Sequence, residues 1–299
     1  MTRLADALRR AQHPAQVGQV SEPFQIPEPA WDSASTEAAA VEPVPDRKWL
    51  SHDPIPVGDA SVVATRAPHD FSDRLACKLV TDPGLHPLAV EQYRRLAAAL
   101  HHAKTQSGIK VVMVTSAVVA EGKSLSVCNL GLTLSHSYRK RVLLIDADLR
   151  RPSLQEMFKL PPTAGLSEGL HAKDECELPL YEVSPGLVVL PAGRPDADPV
   201  GGLTSGRIGR VIVEAAEDFD WVLIDTPPLG LVPDAALLGA LADTVLLVVR
   251  AGASPCALVR QAIETLGADK IFGVLLNAAA TGTVVSSGSD YSYGYSKRT

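Results

Sequence analysis

The sequence predicts an α/β fold built on a mainly parallel, doubly wound sheet with helices on both faces. Short runs of β-branched and aliphatic residues alternate with longer segments of helical periodicity. The runs are apolar throughout rather than at every second position, the pattern of strands buried on both faces. The conspicuous polar residues fall just past the ends of these runs, where ligands sit in open α/β sheets. Strands separated by helices imply right-handed crossovers and parallel pairing.

Residues 1–12 place Leu4, Ala7, Leu8 and Ala11 on one side of a short helix. A helix of that length is marginal in water, so it either folds by docking on a partner or is a frayed N-terminus. From 14 to about 68 proline, alanine and small polar residues dominate. Such a segment buries too little apolar surface to offset its ordering entropy and reads as a mostly disordered linker. Residues 1–86 are therefore expected to be this helix plus linker, and 87–280 a folded domain.

Within the domain, Val90, Tyr93, Leu96, Ala97 and Leu100 recur at helical spacing over 89–101. Strand and helix signals then alternate. Strands are expected at 110–115, 141–145, 187–190, 221–224, 244–249 and 271–276. Helices are expected at 123–137, 153–158, 205–217, 234–241 and 255–266. Beyond 280, glycine and serine predict a flexible tail, 281–299. Tyr291, Tyr293 and Tyr295 stand there on alternate positions, although tyrosine normally buries its ring.

Composition narrows the function. The chain has 299 residues, 46% hydrophobic and 21% charged, enough for a sizeable core. A formal net charge of −6 argues against nucleic-acid binding through broad electrostatics. Cys77, Cys128, Cys176 and Cys256 lie far apart without a Cys-x-x-Cys pair, which predicts reduced, packed cysteines. No apolar run approaches the ~20 residues of a membrane span, and the first ten residues lack the apolar centre of a signal peptide. The expected location is the cytoplasm, with any membrane role exerted through a partner.

Three motifs carry chemistry. Ala117, Val118, Val119, Ala120, Glu121, Gly122, Lys123, Ser124 and Leu125 follow a strand and open a helix, the context of a phosphate-binding loop. Amides at a helix N-terminus and the helix dipole attract phosphate. Lys123 is expected to span the β- and γ-phosphates, and Ser124 to offer its hydroxyl to Mg²⁺. Asp146 and Asp148 share a strand end; one can face the γ-phosphate and the other the metal shell or an incoming hydroxyl. Arg150 and Arg151 follow, suited to phosphate contact or a subunit interface. Asp225 ends a third strand and is expected to serve Mg²⁺ either directly or from behind its ligands. Asn277 stands just after the last strand, where it can contact an adenine edge or cap a turn. Together the motifs predict a P-loop NTPase fold of the ParA/MinD-like kind, using ATP and Mg²⁺.

The stretches Thr115–Ser124, Val142–Pro152, Gly165-Leu-Ser167, Leu190-Pro-Ala-Gly193, Ile224–Pro228 and Gly273–Asn277, with the terminal tyrosines, resemble the bacterial tyrosine kinases of capsule and exopolysaccharide synthesis. The resemblance spans roughly 87–299. It implies that Lys123 and Ser124 hold phosphates and Mg²⁺, that Asp146 accepts the tyrosine proton, and that Asp148 and Asp225 serve the metal. Tyr291, Tyr293 and Tyr295 would accept phosphate from a neighbouring copy. It also implies a homo-oligomer and a membrane polysaccharide co-polymerase whose cytoplasmic segment recruits and stimulates the kinase. The eukaryotic His-Arg-Asp and Asp-Phe-Gly signatures are absent.

The sequence departs from the family pattern in three places. Ala120 stands where the family loop has glycine, a substitution that costs on the order of 1 kcal/mol if φ is positive there. In the family's Glu-x-x-Arg-x-x-Arg helix, Glu91 and Arg94 match, but Ala97 replaces the second arginine. The tyrosine cluster has three members. Two alternatives follow: a ParA/MinD-type ATPase switch, whose additional loop lysine would fall at Val118, and a catalytically weak nucleotide-binding adaptor.

Overall fold

The computed structural model describes residues 71–173, 177–230 and 232–279. The expected N-terminal helix and linker, 1–68, and the tail with Tyr291, Tyr293 and Tyr295 lie outside the described residues. The described chain runs α1 (Asp73–Ala76), α2 (Pro87–Ser107), β1 (Val111–Ser116), α3 (Lys123–Tyr138), β2 (Val142–Asp146), α4 (Leu154–Met157) and α5 (Leu166–His171). It continues through β3 (Tyr181–Ser184), β4 (Leu187–Leu190), α6 (Val200–Thr204), α7 (Arg207–Asp218) and β5 (Trp221–Asp225). The last elements are α8 (Asp234–Leu241), β6 (Thr244–Arg250), α9 (Cys256–Leu266) and β7 (Ile271–Asn277).

The strands form one seven-stranded sheet in the order β3-β4-β2-β5-β1-β6-β7. Every pairing is parallel except β3 on β4. Successive residues of each central strand enter opposite cores, as the pleat requires. Val111, Met113, Leu143, Ile145, Val222 and Ile224 pack with α5, α6, α7 and α8 on one face. Val112, Val114, Leu144, Trp221 and Leu223 pack with α2, α3 and α4 on the other. Two covered faces explain why the strand runs are apolar without alternation.

Local chemistry sets the limits of α2. Pro87 occupies its first turn, His86 Nδ1 accepts the Leu88 amide at 3.2 Å, and Gly108 closes the C-terminus at φ +71°. These signals flank the apolar periodicity, so the helix extends beyond the expected 89–101 at both ends. The expected 205–217 helix begins instead at Arg207, because Gly206 at φ +74° breaks it from α6. The sequence reading missed α1, α5, α6 and β3, each six residues or fewer and too short for a periodic signal.

Packing also starts ahead of Pro87. Leu79 is fully buried in the α2/α3 face, and the Ser72 amide donates to Met157 O at 3.0 Å. The Asn129 side chain of α3 accepts from Val80 N at 2.8 Å and donates to Lys78 O at 3.1 Å. The expectation of packed cysteines holds for Cys128; Cys77 and Cys256 are exposed, a correction to the sequence reading. Cys176 lies outside the described residues.

Candidate nucleotide-binding site

The β1 strand directs residues 117–122 into a turn at the carboxyl edge of the sheet, and α3 starts at Lys123. The turn needs two left-handed residues. Gly122 has φ +94° and Ala120 φ +61°, the angle at which alanine is strained. No side chain caps the N-terminus of α3. Its first amides are thus available to an anion, and the dipole adds to the attraction.

Pairing places the acidic residues together. In β2 and β5, Asp146 stands in register with Asp225, and Asp225 in turn pairs across to Val114 near the end of β1. Asp146 and Asp225 are fully buried, and Lys123 is 8% exposed. Asp146 Oδ2 accepts the Ser153 and Leu154 amides, each at 2.9 Å, whereas its Oδ1 has no hydrogen-bond partner. Neither oxygen of Asp225 meets a donor in hydrogen-bond geometry, though Ser124 and the Thr226 amide are near enough to favour its charged form. Asp148 has left the strand; its Oδ1 accepts the Arg151 amide at 3.1 Å.

Burial raises the proton affinity of all three carboxyls. For Asp146, pushed up to about 8, burial is the main cause and the Asp225 charge the next. Asp225 is raised by burial and partly drawn back by Lys123 and Ser124. Asp148 is raised by burial and drawn back by the Arg151 amide and Lys123. Two adjacent buried carboxylates with unpartnered oxygens call for a cation. One hydroxyl and a few carboxylates suit Mg²⁺, which takes its remaining ligands from phosphate oxygens and water. Among the described residues there is no group of three or more His, Cys, Asp or Glu that could hold a metal ion.

The remaining expected residues fall as follows. Ala117 is buried behind the loop and Val119 is half exposed at its tip. Val118 donates its amide to Glu121 Oε2 at 2.8 Å. Asn277 Nδ2 donates to Glu121 O at 2.8 Å, and its Oδ1 accepts from Ala278 N at 2.9 Å. Arg150 is not directed at phosphate: it clasps Asp234 through Nε at 2.7 Å and Nη2 at 3.2 Å. That pairing ties the loop after β2 to α8. The sequence reading also missed Ser254, whose hydroxyl donates to Glu121 Oε1. Its position just before Pro255 resembles an ordinary helix start, which masks the long-range contact.

Strand-end carboxylates around an uncapped, left-handed phosphate loop define a P-loop nucleotide-binding protein. No protein-family model matches the chain. It is 36% identical over 204 residues to tyrosine-protein kinase YwqD of Bacillus subtilis, covering 68% of this chain and 85% of that one. It is 34% identical over 209 residues to tyrosine-protein kinase etk of Escherichia coli K12, of which it spans only 28%. Among solved structures, the kinase domain of E. coli ETK superposes with a TM-score of 0.61 at 32% identity, over 69% of this chain and 80% of that one. The BceF tyrosine kinase domain gives 0.57 at 34% identity, over 64% and 79%. The chain belongs to the bacterial tyrosine-protein kinases of the P-loop type, the family its motifs resemble.

Proposed function

We propose that this kinase transfers the γ-phosphoryl group of Mg·ATP to Tyr291, Tyr293 and Tyr295 of a neighbouring copy. The observation that carries the proposal is the buried Asp146–Asp225 pair, with three unpartnered carboxylate oxygens beside the loop that bears Lys123. Lys123 and the first amides of α3 would hold the phosphates. Ser124, Asp148 and Asp225 would hold Mg²⁺, which when bound neutralises charge on the phosphoryl oxygens. The apolar cavity of about 300 Å³ beside Asn277, walled by Leu88, Tyr93, Leu275 and Leu276, has room for the nucleobase.

Asp146 would take the proton from the tyrosine hydroxyl as its oxygen bonds to the γ-phosphorus. The bond to the β–γ bridging oxygen breaks and ADP leaves. Its raised proton affinity would make Asp146 a stronger base once ionised, a form that Mg²⁺ nearby would favour. The proposal extends to polysaccharide synthesis, with a separate membrane co-polymerase supplying recruitment and activation. It is supported by the family resemblance and by longer relatives such as etk, most of whose length lies outside the match. Among the described residues no helix is long and apolar enough to cross a membrane.

Incubation with Mg·ATP, followed by mass-spectrometric mapping, should place phosphate on the tail tyrosines, and Lys123→Met should abolish it. Label on the tail of Lys123→Met protein mixed with wild type is expected for transfer between copies. Nucleotide binding without label, even with the cytoplasmic segment of a co-polymerase added, would instead identify an adaptor, a reading that the strained Ala120 favours.

A further inference from the structure

We infer that Ser254 and Asn277 are positioning residues that clamp the phosphate loop through Glu121 and keep its anion nest formed before nucleotide arrives. The inference rests on the reading of residues 117–124 as the phosphate site. Glu121 is 1% exposed and lies under the loop rather than facing solvent. Its carboxylate accepts the Val118 amide through Oε2 and the Ser254 hydroxyl through Oε1. The same Ser254 oxygen accepts the Arg250 amide at 2.9 Å, which anchors it to the end of β6.

Asn277 grips the loop from a second side. Its Nδ2 donates to the Glu121 carbonyl at 2.8 Å, its Oδ1 accepts Ala278 N at 2.9 Å, and its own carbonyl accepts Ala251 N at 2.8 Å. A Cβ at residue 122 would stand 2.1 Å from Asn277 Nδ2, so the glycine there is what admits the amide. Arg250 Nη1 lies 3.5 Å from the Ala120 carbonyl, completing a ring of contacts from the β6 and β7 ends. These contacts hold Ala120 at a φ that alanine disfavours, and a loop without them would drift from it. Each polar end of the Asn277 side chain makes one bond within the protein, and in the proposed clamp that side chain shapes the loop rather than reading the base.

The discriminating experiment compares ligands with different bases and with none. Wild type, Asn277→Ala and Ser254→Ala are titrated calorimetrically with MgADP, MgGDP and magnesium tripolyphosphate. Amide hydrogen exchange across 118–122 is measured on the ligand-free proteins. Each variant is expected to weaken all three ligands by a common factor, on the order of fivefold for one lost hydrogen bond. Each should also raise exchange in the loop. A loss confined to MgADP with tripolyphosphate unchanged, or unaltered exchange at 118–122, overturns the clamp while leaving the phosphate site standing. Wild type that takes up none of the three overturns the phosphate-site reading and the clamp with it.

Discussion

Ala120 shows how one residue sets the quality of the site. Its φ of +61° is open to glycine at no cost and strained for alanine. Ala120→Gly is therefore expected to relieve about 1 kcal/mol of backbone strain, partly offset by the greater freedom of glycine in the unfolded chain. Because the loop is already formed without ligand, denaturant unfolding of the two ligand-free proteins should show the gain as stability of the glycine variant, with MgADP affinity nearly unchanged. At Asp225 the trade runs between stability and function. Its carboxyl, raised above the ordinary carboxylate value by burial, binds a proton more tightly folded than unfolded. The folded state therefore holds the extra proton between the unfolded pKa and the raised one, and ligand-free stability falls as pH climbs through that window. Asp225→Asn should stabilise the ligand-free protein at pH 8 and much less at pH 5, while weakening Mg²⁺-dependent nucleotide binding. Thermal melts at the two pH values check the first part.

At the scale of elements, α3 links the site to the core. It begins at the phosphate loop and carries Val127, Leu130 and Leu134 into the face shared with α2 and β2. Residues 71–86 complete that face, with Leu79 under α3 and Asn129 bonding the Lys78–Val80 backbone. Leu79→Ala is expected to cost about 2–5 kcal/mol by denaturant unfolding, the range for truncating a fully buried leucine. A change near zero would mean that this segment is not part of the cooperative unit. On the outer side of α2, Glu91 approaches Arg94 at 3.8 Å and Arg95 at 3.9 Å, with all three side chains roughly half exposed or more. Such surface pairs add little to folding, which leaves these charges available to a neighbouring molecule. Ala97 is fully buried on the inner side, facing the core rather than that surface.

For the whole molecule, the proposed chemistry changes the charge of the tail. Each phosphotyrosine adds roughly −1.5 to −2 charges to a chain whose formal net charge is already −6. Full phosphorylation is expected to repel the tails from neighbouring acidic sites and to loosen any assembly. Sedimentation velocity before and after incubation with Mg·ATP should show a shift toward smaller species. Identical profiles would separate phosphorylation from assembly.

The sequence by itself determined the order of the longer strands and helices, because apolar runs and 3.6-residue periodicity are local properties that survive without tertiary context. It also marked Lys123, Ser124, Asp146, Asp148 and Asp225 as candidates, since each sits next to a strand end that the pattern marks. Tertiary structure alone decided the antiparallel β3, the Arg150–Asp234 clasp and the convergence of Ser254 and Asn277 on Glu121. The clasp and the contacts on Glu121 join residues far apart in the chain, whereas β3 pairs with β4 across a short turn. Ser254 and Asn277 reach Glu121 only when β6 is laid beside β1 and β7 beside β6, and no local pattern encodes that meeting.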